Sequence, residues 1–460
     1  MTVSLGNGVD IGNLVTSETS PVTGGIKKAV AGSSNIVASL GLLSRNKSVF
    51  VDDPLGNQLG SAGAAGYTWY GKRQVPCEFD AIQLVIGQNI TDTPTIKAIV
   101  AVTETAAVDT DPNRYQPIVG GATYATVDAA EQYGWRSVTW GGAASATFPV
   151  NALRSQFNRD FLTSDIIPLS SVPRADGGAG NLLMWRIYAS GATISFVGVT
   201  PLATPDQTTH GDLVIQSSYR SAIDATTGGT INSLPGSITN SSLFVGVVLY
   251  SRGRAVSMIG IGDSITQQDG LVADKVSSWG QRAAQLCIDA GIPTGWINAG
   301  CSGYPTATYQ PQGKNQITTY KPHLALYAAW SPNDTSLGMT AAQLRGAIQT
   351  MAGRTMDFIN HCAANGVHPI LLTGIPYKKH LNTAALDQQR KDYNARIRAM
   401  GEAGVCSVLD MDAIISDGGS PADLLPAYQV AAESPNFLHI NEAGTNAVAA
   451  ELAALVKTLA

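Results

Sequence analysis

The stretch Ala255-Val-Ser-Met-Ile-Gly-Ile-Gly-Asp-Ser-Ile-Thr266 decides the fold. Ala255–Ile261 is an uncharged run with no alternation of polar and apolar positions. Such a run, bounded by Gly and Asp, reads as a strand buried on both faces of a sheet. Gly262 is expected to let the backbone turn sharply, and Ser264 then stands at the strand's carboxyl end, where a helix begins. The pattern is not the Gly-x-Ser-x-Gly elbow, because Thr266 occupies the second Gly position. A Gly-Asp-Ser triplet alone is equally an ordinary turn.

Working outward, the next segments repeat the strand-then-helix rhythm. Helices are predicted at Ser278–Ala290, Ala341–Ala364, Ala384–Ala403 and Asn441–Leu459. Strands are predicted at Gly295–Asn298, Leu324–Trp330, Pro369–Thr373 and Val405–Leu409. Alternation of this kind means βαβ units and a parallel sheet covered on both faces. Right-handed crossovers then put every strand's carboxyl end on one edge, where open α/β sheets build their sites. This α/β region is assigned to residues 253–460.

Before Arg252 the pattern is different. Short apolar runs recur at Phe79–Ile86, Thr95–Val102, Trp135–Trp140, Asp165–Leu169, Leu182–Tyr188, Thr193–Val197 and Leu243–Tyr250, broken by Gly, Pro, Asn, Asp and Thr. Residues 61–252 are therefore expected to form an all-β sandwich of jelly-roll type. Trp135, Trp140 and Trp185 lie on these runs, and core packing is their expected role. Residues 1–60, with one apolar stretch at Asn35–Leu43, read as an arm or attachment segment.

Composition narrows the function classes. A net charge of −5 gives no basic field, so a nucleic-acid partner is not expected. No apolar run is long enough for a membrane span. The beginning, MTVSLGNGVD, lacks the basic and apolar regions of a secretory signal. The five Cys (Cys77, Cys287, Cys301, Cys362, Cys406) have no metal-ligand or disulfide spacing and are expected to be small buried hydrophobes. His323 and His368 flank apolar strands next to prolines and are expected to be structural. No metal or other cofactor is expected.

Several polar residues fall on the predicted sheet edge. Cys301-Ser-Gly303-Tyr follows the second strand, and Trp330-Ser-Pro-Asn333-Asp334 follows the third. His439, within Asn436-Phe-Leu-His-Ile-Asn441, precedes the last helix. Singly, each is an unremarkable turn, polar loop or helix approach. Together, in the order Ser, Gly, Asn, His, they resemble the SGNH (GDSL) hydrolase superfamily over residues 253–460. The resemblance implies a flavodoxin-like domain in which Ser264 is the nucleophile and His439 the general base. It also implies an oxyanion hole made by the Ser264 and Gly303 N–H groups and the Asn333 side-chain amide. Gly303 is expected because its amide must come close without a Cβ.

One position departs from the family, which carries Asp three residues before the His. Here that position is Asn436. An uncharged Asn cannot stabilise an imidazolium as an ionised Asp does; in the serine-protease triad the same change costs about 10⁴ in turnover. Three readings stay open: Glu433 turns in as a substitute carboxylate, a backbone carbonyl orients His439, or the site is weakened or dedicated to binding.

Members of the superfamily cleave acyl esters, and a β-domain ahead of an SGNH domain resembles carbohydrate esterases and phage tailspike deacetylases. The resemblance implies O-deacetylation of a polysaccharide, acting outside the cell or on a virion. Asp263, Tyr304 and Tyr309 are the candidate substrate-binding residues, the two tyrosines on a loop spanning Ser302–Tyr320. Two alternatives stay open: a carbohydrate-binding or structural virion protein with a degenerate hydrolase domain, and a lipase or thioesterase, against which no long apolar lid is evident. A homo-oligomer also stays open, although neither heptads nor β-helix repeats signal one.

Overall fold

A computed structural model describes residues 66–75, 77–103, 135–154, 159–170, 181–199, 244–267 and 278–460, with short segments elsewhere. In the C-terminal half, Val256–Gly262 (β1), Thr294–Gly300 (β2), Leu324–Ala328 (β3), His368–Leu372 (β4) and Ser407–Leu409 (β5) form one parallel sheet. The spatial order is β2-β1-β3-β4-β5, the doubly wound arrangement of flavodoxin-like folds. All five strands are buried along their whole length, as the uncharged runs require. The order reverses beside β1, and ligands of open α/β sheets bind at such a point.

The helices Trp279–Asp289 (α1), Thr306–Tyr320 (α2), Ala341–Asn365 (α3), Ala384–Glu402 (α4) and Glu442–Leu459 (α5) cover the sheet. Local chemistry explains their limits. Thr340 and Gln343 form a reciprocal capping box at the start of α3, and Gly366 in a left-handed conformation stops it. Asn441 Oδ1 accepts the Gly444 N–H and caps α5. That helix buries Val448, Leu452, Leu455, Val456 and Leu459, each contributing roughly 1.5–3 kcal/mol of apolar burial.

Helix α2 corrects the expectation of a loop over Ser302–Tyr320. Pro311, Gly313 and several Thr lie inside it and mask its period, yet packing outweighs their poor propensity. Tyr309, one of the tyrosines assigned to substrate, is fully buried on this helix, and its hydroxyl donates to the Ala328 carbonyl at 2.7 Å. It belongs to the core.

The N-terminal half is antiparallel throughout its described strands. One sheet orders Asp160–Thr163, Phe79–Gln88, Phe244–Ser251 and Ser48–Asp52, so it takes a strand from within the first 60 residues. Another orders Tyr219–Ser221, Tyr67–Val75, Asn181–Ser190, Thr95–Thr103 and Arg136–Ser137. Alternate residues of both (Ile82, Leu84, Ile86, Val245 and Val247 with Val100, Leu183 and Trp185) share one apolar cluster. The jelly-roll reading also spans 104–134, 171–180 and 200–218, which lie outside the described residues, as does Asn35–Leu43. Trp140 and Trp185 are buried, and the Arg186 guanidinium stacks over the Trp135 ring at 5.0 Å.

The opposite face of the first sheet meets the α/β region. Val85 and Val248 join the cluster of Ile259, Ile261, Ile317 and Tyr320. Phe161 meets Tyr320 edge-on at 5.8 Å, and Asn315 Nδ2 donates to the Arg159 carbonyl at 2.6 Å. A Cβ on Gly246 would lie 2.6 Å from the Tyr320 ring and hydroxyl, so only glycine permits this approach.

Each Cys is free and buried. His368 is buried, which lowers its pKa to about 4, and its Nε2 lies 2.8 Å from Ser407 Oγ. His323 Nδ1 accepts the Ser257 N–H at 3.0 Å inside the sheet. Among the described residues no group of His, Cys, Asp and Glu could hold a metal ion, and no helix is long and apolar enough to cross a membrane.

Candidate functional site

Strand β1 delivers the chain to Asp263, whose side chain organises the next turn. Its Oδ1 accepts the Ile265 N–H at 3.0 Å, and its backbone carbonyl accepts from Thr266 and Gln267. Ser264 thereby becomes the first residue of a short helical turn, Ser264–Gln267. Trp279 Nε1 supports the turn from behind by donating to the Ile265 carbonyl at 2.8 Å. Gly262 serves close packing rather than a sharp bend: it is not among the positive-φ glycines, and a Cβ there would lie 2.1 Å from Thr266 Oγ1.

Ser264 Oγ lies 2.9 Å from His439 Nε2. On the other side of the ring, Nδ1 is hydrogen-bonded to Glu433 Oε1. Glu433 Oε2 accepts the backbone N–H groups of Leu438 and His439, at 2.8 and 2.9 Å. Partial burial tends to raise the Glu433 pKa, but the bonds to His439 and Leu438 outweigh it and hold the carboxyl below its ordinary value. The side chain of Asn436 is exposed, and its N–H donates to the Glu433 carbonyl. The carboxylate on the imidazole thus comes from Glu433. Behind His439, Asn441 donates its side-chain amide to the Ala427 and Gln429 carbonyls, which fixes the approach to α5.

The other two loops are tied to this turn. Ser302 N–H donates to Gln267 Oε1 at 2.6 Å, and the Tyr304 carbonyl accepts from Asn333 Nδ2 at 3.2 Å. Gly303 sits between these two bonds, exposed, with φ +78°. A Cβ at Gly303 would meet nothing within 4 Å. Its requirement for glycine is therefore the left-handed backbone and not crowding. Asp334 fastens the same turns, accepting Thr306 N–H at 2.9 Å and Thr306 Oγ1 at 3.0 Å. Burial nevertheless holds the Asp334 carboxyl above its ordinary value.

Asp263 was a substrate candidate, and the structure removes it from that role. It is fully enclosed, and its Oδ2 accepts a hydrogen bond from Ser331 Oγ at 2.5 Å. Burial raises its pKa against the lowering effect of Ser331 and the Ile265 N–H. Ser331 Oγ in turn accepts the Asn333 N–H at 3.2 Å. Ser331, which sequence reasoning overlooked, joins the Ser264 turn to the Asn333 turn. Nothing in the sequence marks it beyond its place two residues before Asn333.

Sequence reasoning also overlooked the loop after β4. Tyr377 and His380 meet edge-on at 4.5 Å, and His380 Nδ1 lies 2.9 Å from Thr335 Oγ1, close to Asn333. Tyr304 is half-buried beside Gly303. The arrangement can take a proton from a serine hydroxyl, hold it on an imidazole braced by a carboxylate, and present amide donors nearby.

Residues 261–447 match the model of the GDSL-like Lipase/Acylhydrolase family. No curated protein matches the chain. Among solved structures, the lipase/acylhydrolase from Enterococcus faecalis aligns at 22% identity and TM-score 0.32, covering 44% of this chain and 95% of that one. A family 3 carbohydrate esterase from Clostridium thermocellum aligns at 16% and 0.32, covering 43% and 93%. An acetyl xylan esterase from Geobacillus stearothermophilus aligns at 15% and 0.34, covering 43% and 94%. With the doubly wound sheet and the Gly-Asp-Ser turn after its first strand, the family match makes residues 261–447 a GDSL-like lipase/acylhydrolase domain.

Proposed function

We propose that the protein is a serine esterase with Ser264, His439 and Glu433 as its triad. The observation that carries this reading is the continuous hydrogen-bonded path from Ser264 Oγ through His439 to Glu433. Ser264 Oγ attacks the ester carbonyl carbon while its proton passes to His439 Nε2. Glu433, on Nδ1, stabilises the imidazolium that results. The oxyanion is received by the N–H groups of Ser264 and Gly303 and by Asn333. An Asn amide carries two N–H bonds, so Asn333 can hold the Tyr304 carbonyl with one and the oxyanion with the other. Collapse expels the alcohol, which takes the proton from His439. Water then attacks the acyl-enzyme by the same route, releasing the acid and restoring Ser264.

Within this reading the substrate is an O-acetyl group on a polysaccharide. The antiparallel region at 61–252 is taken as an accessory β-sandwich that presents the glycan, and Tyr304 offers a ring at the rim. The test is acetate release from a panel of acetylated polysaccharides, wild type against Ser264→Ala, with p-nitrophenyl acetate as the minimal ester. A glycan deacetylase releases acetate from at least one polysaccharide and falls steeply from acetyl to butyryl and octanoyl esters. Silence on every ester between about pH 6 and 9, the range in which a neutral imidazole base operates, would leave a carbohydrate-binding protein with an inactive hydrolase domain.

A further inference from the structure

We infer that Ser331 is a positioning residue for the oxyanion hole: through its hydroxyl, the carboxylate that shapes the Ser264 turn also holds the Asn333 turn in place. The inference rests on the serine-esterase reading above. In that reading three donors, from positions 264, 303 and 333, must meet one oxygen. They come from three separate loops, and preorganised donors act only if their spacing is fixed before the ester arrives. A shift of about 1 Å in such a group can cost about 10² in rate.

The three loops are tied in a ring. Gln267 Oε1, on the Ser264 turn, accepts the Ser302 N–H at 2.6 Å. The Gly303 loop holds the Asn333 turn through the Tyr304 carbonyl, which accepts from Asn333 Nδ2 at 3.2 Å, and through the two bonds from Thr306 to Asp334. Ser331 closes the ring. Its Oγ donates to Asp263 Oδ2 at 2.5 Å and accepts the Asn333 N–H at 3.2 Å, while Asp263 Oδ1 accepts the Ile265 N–H at 3.0 Å. One carboxylate therefore braces the nucleophile's turn with one oxygen and reaches Asn333 with the other. A hydroxyl has two lone pairs, so Ser331 Oγ still accepts the Asn333 N–H when Asp263 carries a proton.

The Asn333 turn depends on this cap. Pro332–Asp334 is a single 3-10 turn, and Pro332 has no N–H, so Asn333 supplies the first donor of the turn. Ser331 is fully buried, which shields its hydroxyl from bulk water. The far end of the turn is fixed separately: Thr335 Oγ1 donates to the Pro332 carbonyl at 2.7 Å and lies 2.9 Å from His380 Nδ1. Loss of the Ser331 hydroxyl therefore loosens the turn at its link to Asp263 and Ser264 while the opposite end stays held.

The test is a double-mutant cycle on the full chain, with p-nitrophenyl acetate as substrate and Ser264→Ala as the inactive reference. Asn333→Ala should lower kcat by about 10²–10³, the usual size for one oxyanion donor. Ser331→Ala should lower kcat about tenfold or more with KM changed less than about twofold. Ser331→Cys, which keeps a side chain of similar shape but bonds weakly, should fall between Ser331→Ala and wild type. The double variant decides. Because Ser331 acts through Asn333, adding Ser331→Ala to Asn333→Ala should cost less than about twofold more. Losses that multiply in full mark a general loosening of the fold and overturn the assignment, as does wild-type kcat in either single variant. If Ser331→Ala does not fold, the same cycle with Ser331→Cys decides in the same way. A wild type no more active than Ser264→Ala ends the esterase reading and this assignment with it, whereas failure of the cycle alone leaves the triad standing.

Discussion

Glu433 holds His439 at two places at once, with Oε1 on the ring Nδ1 and Oε2 on the backbone N–H of the same residue. One carboxylate therefore orients the imidazole and fixes the chain that carries it. A side chain at position 436 has no need to supply the charge.

Glu433→Gln should lower kcat for p-nitrophenyl acetate by about 10²–10⁴ with little change in KM, the scale set by the Asp-to-Asn change in serine-protease triads. Asn436→Asp should keep or raise the activity of wild type. The reverse ranking in a steady-state assay would return the acid's role to position 436. The Glu433 pKa is lowered in the folded protein, so its contribution to stability is present at neutral pH and lost as pH falls through that lowered value.

Asp263 has the opposite sign. Burial raises its folded pKa, so the folded state keeps the proton more readily than the unfolded chain. Its ionisation takes stability away as pH rises from about 4, the unfolded Asp value, through the raised one. Asp263→Asn removes that dependence. The melting temperature of the variant, relative to wild type, should increase between about pH 4 and pH 7. A difference that is flat or shrinks over this interval would contradict the assignment.

Gly303→Ala forces a side chain into a left-handed backbone, at a cost of about 1–2 kcal/mol. If the amide also serves the oxyanion, kcat should fall by more than about tenfold while KM barely moves. Gly303→Asn should unfold at a higher temperature than the Ala variant, since Asn tolerates this conformation better. Equal melting temperatures for the two would show that the backbone strain is relieved elsewhere.

Gly246→Ala would bring a methyl group to within 2.6 Å of Tyr320. Overpacking of this kind typically costs about 1–3 kcal/mol, read by chemical denaturation. Combining it with Tyr320→Leu should recover part of the loss. Strict additivity of the two changes would show that they do not meet.

The strands of the α/β half were legible because each is an uncharged run, and most of its helices because caps such as Thr340 and Asn441 mark their starts. Helix α2 was hidden for a physical reason. Its stability comes from Tyr309, Ile317 and Tyr320 packing into the core, while Pro311 and Gly313 argue locally against a helix. The Ser264 position could be picked out by its placement at a strand end, and His439 by its place just before the last helix. Ser331, Tyr377 and His380 could not, because their importance lies in contacts between loops far apart in the chain. The buried states of Asp263 and Tyr309 were misjudged for the same cause: proximity in sequence to the site says nothing about which side chains turn inward.

The seam at Gly246 and Tyr320 limits how the chain can be dissected. Helix α2 begins one turn from Gly303 and ends against the antiparallel sheet. Trimming the protein at residue 253 would strip Val85 and Val248 from their apolar partners and leave an oily scar along that helix. An isolated α/β half would tend to stick to itself, and any activity it lost would be a symptom of the cut rather than a property of the whole chain.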